Sequence, residues 1–424
     1  MSVVSDPKHP MYVPEENRRI ARERAASYVE TISDYLAVRD TIPTGRNQHD
    51  RIQECRKRIL EILGGSDDDW NDWRWHLKNA IRDTATLARI VPLTEEEVSG
   101  IGRTATQYRW SISPYFASLM DPNDPNCPIR KQAVPTILEY LDTEEIPDPY
   151  AIVYNSPAPL ITRLYADRLI INVTNMCSVF CRHCLRKKDI AQKDEIYPKS
   201  DVQAAIDYIA ACPEVRDVLL TGGDALMLSD DYLDWMLTQL EQIPHIEIMR
   251  LGSRMLSTLP QRVTPQLCEM LSRHNPVYLN TQFNHPVEIT ADAQQAVDRL
   301  IRAGVLVGNQ SVLLKGINND VNVMKKLVQE LLRIRVRPYY IFNCKKLQGI
   351  RHLRASVQDG LNIMENLRGY TSGLAVPTYI VTAPEGKGKT PIAPTYLLNI
   401  NRNGKILFRT WGGQVCEYED ELPG

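Results

Sequence analysis

Leu169-Ile170-Ile171-Asn172-Val173-Thr174-Asn175-Met176-Cys177-Ser178-Val179-Phe180-Cys181-Arg182-His183-Cys184-Leu185-Arg186 decides how the chain is read. The apolar run Leu169–Val173 predicts a buried strand. Three of the nine cysteines follow within eight residues, spaced Cys-x3-Cys-x2-Cys, so they sit on the loop leaving the C-terminal end of that strand. Three thiolates on one short loop suit an iron–sulfur cluster that keeps one iron open. A structural zinc would need a fourth ligand at a matched spacing, and no second Cys/His pair follows within range. His183 lies between Cys181 and Cys184 but points away from a centre those two share. The alternative is three unrelated buried thiols.

Working outward, short apolar runs alternate with amphipathic segments at about thirty-residue spacing, the βα rhythm. The predicted strands are Leu169–Val173, Val218–Thr221, Ile246–Leu251, Val277–Thr281, Val305–Val307 and Arg337–Phe342. The predicted helices are Asp201–Ala211, Asp230–Gln242, Pro265–His274, Ala291–Ala303 and Asn322–Arg333. Thr264-Pro265 reads as an N-cap followed by Pro at the first helical position, and Gly304 as a C-terminal glycine. That makes six βα units, two short of a complete (β/α)8 barrel. Residues 1–160 form a helical N-terminal region, with helices expected over Glu15–Arg39 and Arg51–Leu63 and from Leu93-Thr94-Glu95-Glu96-Glu97. A further one, capped by Ser66-Asp67-Asp68-Asp69, carries Trp70, Trp73 and Trp75, read as core packing. The α/β core spans 161–345. In 346–424 the rhythm is lost and an α+β extension follows, with short strands at Lys405–Arg409 and Gln414–Tyr418.

Composition is that of an ordinary soluble globular protein, 43% hydrophobic and 24% charged. A net charge of −2 gives no electrostatic case for nucleic acid or an anionic membrane as partner. The basic cluster Arg182, Arg186, Lys187 and Lys188 reads instead as a local anion site. Outside the central three the cysteines are scattered, so there is no disulfide framework. No apolar run is long enough to span a membrane, and the N-terminus lacks the apolar core of a signal peptide. A reducing cytoplasm is the expected location.

In a βα barrel, functional groups belong at the C-terminal strand ends. The second predicted strand ends in Thr221-Gly222-Gly223-Asp224, where adjacent glycines let the backbone approach a ligand closely. The third leads to Gly252-Ser253-Arg254, the fourth to Asn280-Thr281-Gln282-Phe283-Asn284-His285-Pro286 and the fifth to Gly308-Asn309-Gln310-Ser311. His285 reads as a hydrogen-bonded turn histidine. Ala383-Pro384-Glu385-Gly386-Lys387-Gly388-Lys389-Thr390-Pro391 fails the phosphate-binding loop pattern, whose first glycine would fall at Ala383; on its own it reads as a Gly/Lys surface loop.

The Cys-x3-Cys-x2-Cys spacing resembles the radical S-adenosylmethionine (SAM) superfamily, and Cys181-Arg182-His183-Cys184 is similar to the lysine 2,3-aminomutase family within it. The strand-end segments fall in the family's order, and the likeness runs from about residue 30 to about 400, including Trp70-Asn71-Asp72-Trp73-Arg74-Trp75. It implies an open (β/α)6 barrel and three cofactors: a 4Fe-4S cluster on Cys177, Cys181 and Cys184, SAM, and pyridoxal phosphate (PLP). It assigns Gly222, Gly223 and Asp224 to SAM, with Gln282 and Gln310 in the same cofactor-binding set. Lys389, rather than Lys387, is the lysine that joins PLP. Tyr165 and Arg168 match residues that pack on its ring and hold its phosphate. Leu164 and Ala166 depart from the family, which carries Arg and Pro there. Gln282 replaces a His of the lysine-acting members.

The resemblance also places the substrate. Arg186 matches the Arg that holds the α-carboxylate. Two Asp residues that pair with the ammonium of lysine align with Lys345 and Thr382. A lysine side chain would meet Lys345 as a like charge, which costs several kcal/mol by order of magnitude. Members acting on glutamate carry Lys and Asn there; Lys345 matches and Thr382 departs, leaving glutamine or another acid open. The family's C-terminal zinc is not expected, because the tail holds only Cys416 and Asp320 stands at the barrel position. The implied activity is 2,3-amino migration converting L-glutamate to β-glutamate, in a homo-oligomer served by a reductant such as flavodoxin or ferredoxin. Two alternatives stand beside it. One is another radical reaction, or another amino acid, on the same scaffold. The other is a non-catalytic iron–sulfur regulator, which would bind no PLP.

Overall fold

The computed structural model describes residues 7–145, 148, 151–187, 193–401 and 405–419, so Lys188 of the basic cluster lies outside the described residues. The chain divides into two units, Met1–Ile42 and Pro43–Gly424. In the first, the helix expected over Glu15–Arg39 is two helices. Glu15–Glu30 buries none of its residues, and Ser33–Val38 buries Tyr35.

The second unit opens with helices. His49–Leu63 ends at Gly64 in the left-handed region, as its glycine pair predicts. The Trp-rich helix is broken in two. Ser66 and Asp69 form a capping box that starts Asp67–Asn71; Asp72 then turns extended and caps Trp73–Lys78 with its own carboxylate. Trp70 joins the core, while Trp73 and Trp75 are only partly buried against it.

Among the described residues, the larger of two sheets carries the unit. Its nine strands lie in chain order: β1 (Ile161–Thr162), β2 (Arg168–Thr174), β3 (Asp217–Gly222), β4 (Ile248–Gly252), β5 (Val277–Thr281), β6 (Leu306–Leu313), β7 (Arg337–Asn343), β8 (Thr378–Thr382) and β9 (Lys389–Pro391). Strands β2 to β8 run parallel to one another, and β1 and β9 run antiparallel at the two edges. The sheet curls into a half-barrel whose helices follow its parallel strands.

The six expected strands are β2 to β7. The parallel run has a seventh, β8, joined to β7 through helix Val357–Leu367, so the sheet continues past residue 345. Strand β6 also runs six residues beyond the expected Val307, to Leu313. Thr264 caps helix Pro265–Ser272 with Pro at its start, and Gly304 adopts φ 84°, both as read from the sequence.

Alternation along the strands sorts their side chains. On β3 and β4, Val218, Leu220, Met249 and Leu251 are buried in the core, while Asp217, Leu219, Thr221 and Arg250 face the lumen. A satellite core of Leu314, Ile317, Cys344, Leu347, Ile350 and Leu353 anchors the segment after β7 on both sides of Lys345. The tail forms a separate three-stranded antiparallel sheet of β10 (Leu397–Ile400), β11 (Lys405–Arg409) and β12 (Val415–Glu419).

Candidate active site

The lumen holds a cavity of about 580 Å³, and every residue singled out for the cluster, SAM, PLP or substrate lines it. That volume is in the usual range for a small-molecule site. The cysteine loop sits at one end and Lys389 at the other.

At the first end Cys177, Cys181 and Cys184 are free thiols that interact electrostatically with one another. Burial pushes the Cys177 thiol well up, with Asp224 and the two other thiols adding to it, and burial pushes Cys184 to about 11. Such thiols become ligands only when a cation displaces their protons. Among the described residues no three His, Cys, Asp or Glu side chains stand close enough to share one metal ion. A four-iron cluster takes each thiolate on a different iron, so its sulfurs need not converge on one point as they do around zinc. The donor set fits the cluster.

The glycine pair lines the cavity and also serves close backbone packing. A Cβ on Gly222 would lie 2.3 Å from Thr174 O, and one on Gly223 would lie 2.1 Å from Met176 O. Gly223 N donates to Thr174 O and Asp224 N to Met176 O (2.8 Å). The two glycines let the second strand end pack backbone to backbone against the start of the cysteine loop. Asp224 gives its carboxylate to Leu226 N (3.0 Å) and Arg254 N (2.7 Å), so it fixes the third strand end as well.

Arg254 is the residue that the sequence reading left without a role. It is buried, and its Nη1 donates to Cys181 Sγ at 2.7 Å. Neighbouring contacts decide the tautomer of His183. Asn284 Oδ1 accepts from Val312 N (2.9 Å), which turns the Asn284 amide nitrogen toward His183 Nε2 at 3.3 Å, and Gln282 Nε2 reaches the same atom at 3.0 Å. His183 Nε2 is therefore an acceptor and Nδ1 carries the proton. Burial, then Arg254, Lys187 and Arg182, hold the ring neutral. His285 accepts from Val287 N at 3.2 Å, the turn contact expected of it.

The loop is braced from behind. Glu139 is fully buried and takes Arg182 Nε at 3.0 Å and Lys187 Nζ at 2.5 Å; Lys187 Nζ also donates to Gly349 O at 2.8 Å. Burial would raise the Glu139 carboxyl, but Arg182 and Lys187 hold it below its usual value. Of the expected anion site, then, Arg182 and Lys187 are spent inside the protein. Arg186 faces the cavity, with its Nη1 resting on Gly222 O.

At the other end, β9 pairs with β8 so that Lys389 stands directly opposite Thr382. The Lys389 stem is exposed, while its Nζ lies 5.3 Å from the ring centre of Tyr340 and 5.0 Å from that of Phe342. Burial of the amine, then Arg250 and Arg168, lower its pKa to about 8. Tyr165 OH accepts from Lys389 N at 2.8 Å, and Arg168 stacks 4.0 Å over the Tyr165 ring. Leu164 lines the cavity where the family carries Arg. The adjacent Arg163 does not replace it, being tied to Glu214 (2.7 Å) and Tyr208 (3.1 Å). Arg250, held by Asp217 at 2.7 Å, also lines the cavity here. Its signal in the sequence was a lone charge in the middle of a buried strand. An amine of lowered pKa among arginines and aromatic rings fits PLP.

Lys345 lines the cavity beside Thr382 and Lys389. Burial, with Lys389 and Arg186, brings its pKa down to about 6 against the opposing charge of Asp148. Among the described residues, Asn172 Oδ1, Asn280 Nδ2, Thr281 Oγ1 and His183 Nδ1 are buried on the cavity wall without a hydrogen-bond partner. Unsatisfied polar atoms of this kind are costly unless a bound group meets them.

A curled parallel sheet with three cysteines on the loop after its first parallel strand is the arrangement of the radical SAM superfamily, whose model matches residues 171–327. Residues 364–422 match the family described as lysine-2,3-aminomutase. The glutamate 2,3-aminomutase of Clostridioides difficile (strain 630) is 52% identical over 406 residues, 96% of each chain. The L-lysine 2,3-aminomutase of Clostridium subterminale is 48% identical over 358 residues, covering 84% of this chain and 86% of the relative. That of Bacillus subtilis (strain 168) is 44% identical over 355 residues, covering 84% and 75%. The chain belongs to the lysine 2,3-aminomutase family of radical SAM enzymes. It is an aminomutase, an isomerase, and its cofactors are those of the family: a 4Fe-4S cluster, SAM and PLP. No helix among the described residues is long and apolar enough to cross a membrane.

Proposed function

We propose that the protein converts L-glutamate to β-glutamate by 2,3-amino migration. One observation carries the choice of substrate: Lys345 and Thr382 stand together on the cavity wall beside Lys389, where a cation suits an acidic side chain. The named activity of the Clostridioides difficile relative agrees with that reading. A lysine side chain would put its ammonium beside Lys345 and Lys389 in a partly desolvated space.

In this reading Cys177, Cys181 and Cys184 would hold the cluster, and the loops after β2, β3 and β5, with Gln310 on β6, would frame SAM. Lys389 holds PLP, with Tyr165, Arg168 and Arg250 around the ring and phosphate. When bound, these groups supply a carbon-centred radical and a π-system across which nitrogen can migrate. The protein's part is orientation. Arg186 leaves Gly222 O to clamp the α-carboxylate as a bidentate pair. Lys345 takes the γ-carboxylate and Thr382 donates its hydroxyl to it. With its pKa lowered to about 8, Lys389 presents a neutral amine at mildly basic pH, and the rings of Tyr340 and Phe342 pack against it. The reductant is a flavodoxin or ferredoxin, the enzyme works in the cytoplasm, and the active form is a homo-oligomer.

Glutamine is the second reading, favoured by a Lys345 amine that is largely neutral at pH 7. One assay tests both. Anaerobically reconstituted enzyme is incubated with dithionite, SAM, PLP and single amino acids, and the β-amino acids are resolved from their isomeric substrates by chromatography after derivatisation. β-Glutamate is expected. β-Glutamine alone would move the assignment to the amide, and β-lysine alone would overturn the role given to Lys345.

A further inference from the structure

We propose that Arg254 is a cluster-tuning residue: its guanidinium, hydrogen-bonded to Cys181 Sγ at 2.7 Å, raises the reduction potential of the cluster. Its position is set by the protein rather than by the cofactor. Nη2 donates to Gln132 Oε1 (2.6 Å) and lies 3.3 Å from the buried carboxylate of Glu288, Nε donates to Gln282 O (3.2 Å), and the backbone N–H is held by Asp224 (2.7 Å). Phe116 packs beneath, 5.3 Å from the guanidinium carbon. The donor is thus aimed at one sulfur before any iron arrives.

The other thiols are treated differently. Cys184 Sγ accepts a neutral backbone N–H from Arg186 at 3.3 Å. Among the described residues, Cys181 is the one cysteine of the three whose sulfur meets a charged side-chain donor at hydrogen-bond distance. A four-iron cluster on three thiolates carries net charge −1 when oxidised and −2 when reduced. A buried cation bonded to a ligand sulfur favours the more negative state, and N–H···S bonds and local charge are known levers on cluster potential. Asp224 makes the same arrangement a link between sites. Through it the glycine-pair loop and the cluster's tuning residue are fixed by one carboxylate.

The test is the midpoint potential of the reconstituted cluster, read by electron paramagnetic resonance at poised potentials, together with iron content per chain. Arg254→Met alone leaves Glu288 buried without its cation and endangers folding, so Arg254→Met/Glu288→Gln is made beside it. With iron content unchanged, the ratio of reduced to oxidised cluster at the wild-type midpoint should fall at least tenfold, about 59 mV for one electron. An unchanged ratio in a fully loaded variant overturns the proposal. The unaltered protein gives an independent reading. With guanidinium-15N arginine incorporated, the reduced cluster should show a nitrogen hyperfine coupling that Arg254→Lys removes. No such coupling in the wild type overturns the proposal even if every variant fails to load.

Discussion

With a pKa near 6, the Lys345 amine is mostly neutral at pH 7.5 in the ligand-free protein. An acidic side chain arriving beside it restores the charge, because an opposite charge within a few ångströms favours the ionised amine. Binding should therefore take up a proton. The sign follows from the depressed pKa: uptake approaches one proton per glutamate at pH 7.5 and vanishes below about pH 5, where Lys345 is already charged. Calorimetry of glutamate binding in buffers of different ionisation enthalpy reads this directly, and Lys345→Met should abolish it. Uptake that survives in Lys345→Met would remove Lys345 from the side-chain site. Lys389 behaves in a parallel way at higher pH. The rate at which apo-protein captures PLP should climb about tenfold per pH unit up to about 8 and then level off, because only the neutral amine attacks. A rate still climbing at pH 10, followed by absorbance, would mean that the amine is not lowered at all.

At the scale of the element, the glycine pair after β3 is where the strand ends lock together. Gly223→Ala would put a methyl 2.1 Å from a backbone carbonyl, which cannot swing aside as a side chain can. The cysteine loop should be displaced, and bound iron per chain should drop several-fold while far-ultraviolet dichroism stays near wild type. Gly373→Ala, where a Cβ meets nothing within 4 Å, is the control and should load fully. The same elements mark what was readable in the sequence. Strands β2 to β5 announce themselves because their buried faces are largely apolar: Leu169, Ile171 and Val173, then Val218 and Leu220, Met249 and Leu251, and Val277 and Leu279. Strand β6 was cut short at Val307 because Gly308, Asn309, Gln310 and Ser311 look like a loop. Gln310 is polar because it faces the cavity, while Asn309 and Ser311 point to the buried face and hold the Phe283 backbone (Asn309 Oδ1 accepts from Phe283 N at 2.7 Å, and Ser311 Oγ donates to Phe283 O at 2.8 Å), so the local needs of the site override the apolar pattern. Strand β8 does not stand out in the sequence because a long irregular segment, anchored on its own small core, breaks the spacing between β7 and the next helix. Motif likeness named the residues around the cavity, but it gave Arg250 and Arg254 no role. Each is one charge in an apolar or loop context, and its partners come from distant segments.

At the scale of the molecule, the sheet's two edges meet. The turn between β1 and β2 carries Tyr165, and β9, the far edge, carries Lys389; the Tyr165 hydroxyl accepts the Lys389 backbone N–H at 2.8 Å across the lumen. A half-barrel has no ladder joining its edges, so this bond helps decide where Lys389 stands relative to Arg168 and Arg250. Tyr165→Phe keeps the ring under Arg168 and deletes only the hydroxyl. A hydrogen bond of this kind contributes about 1 kcal/mol net, so PLP affinity should weaken about fivefold. Amide exchange at Lys389 and Thr390 should accelerate by a similar factor, because β9 is an edge strand that loses one of its ties. Exchange in β3 and β4, at the centre of the sheet, should be unchanged. If PLP affinity fell with no change in exchange at β9, the hydroxyl would act on the cofactor itself rather than by joining the two edges.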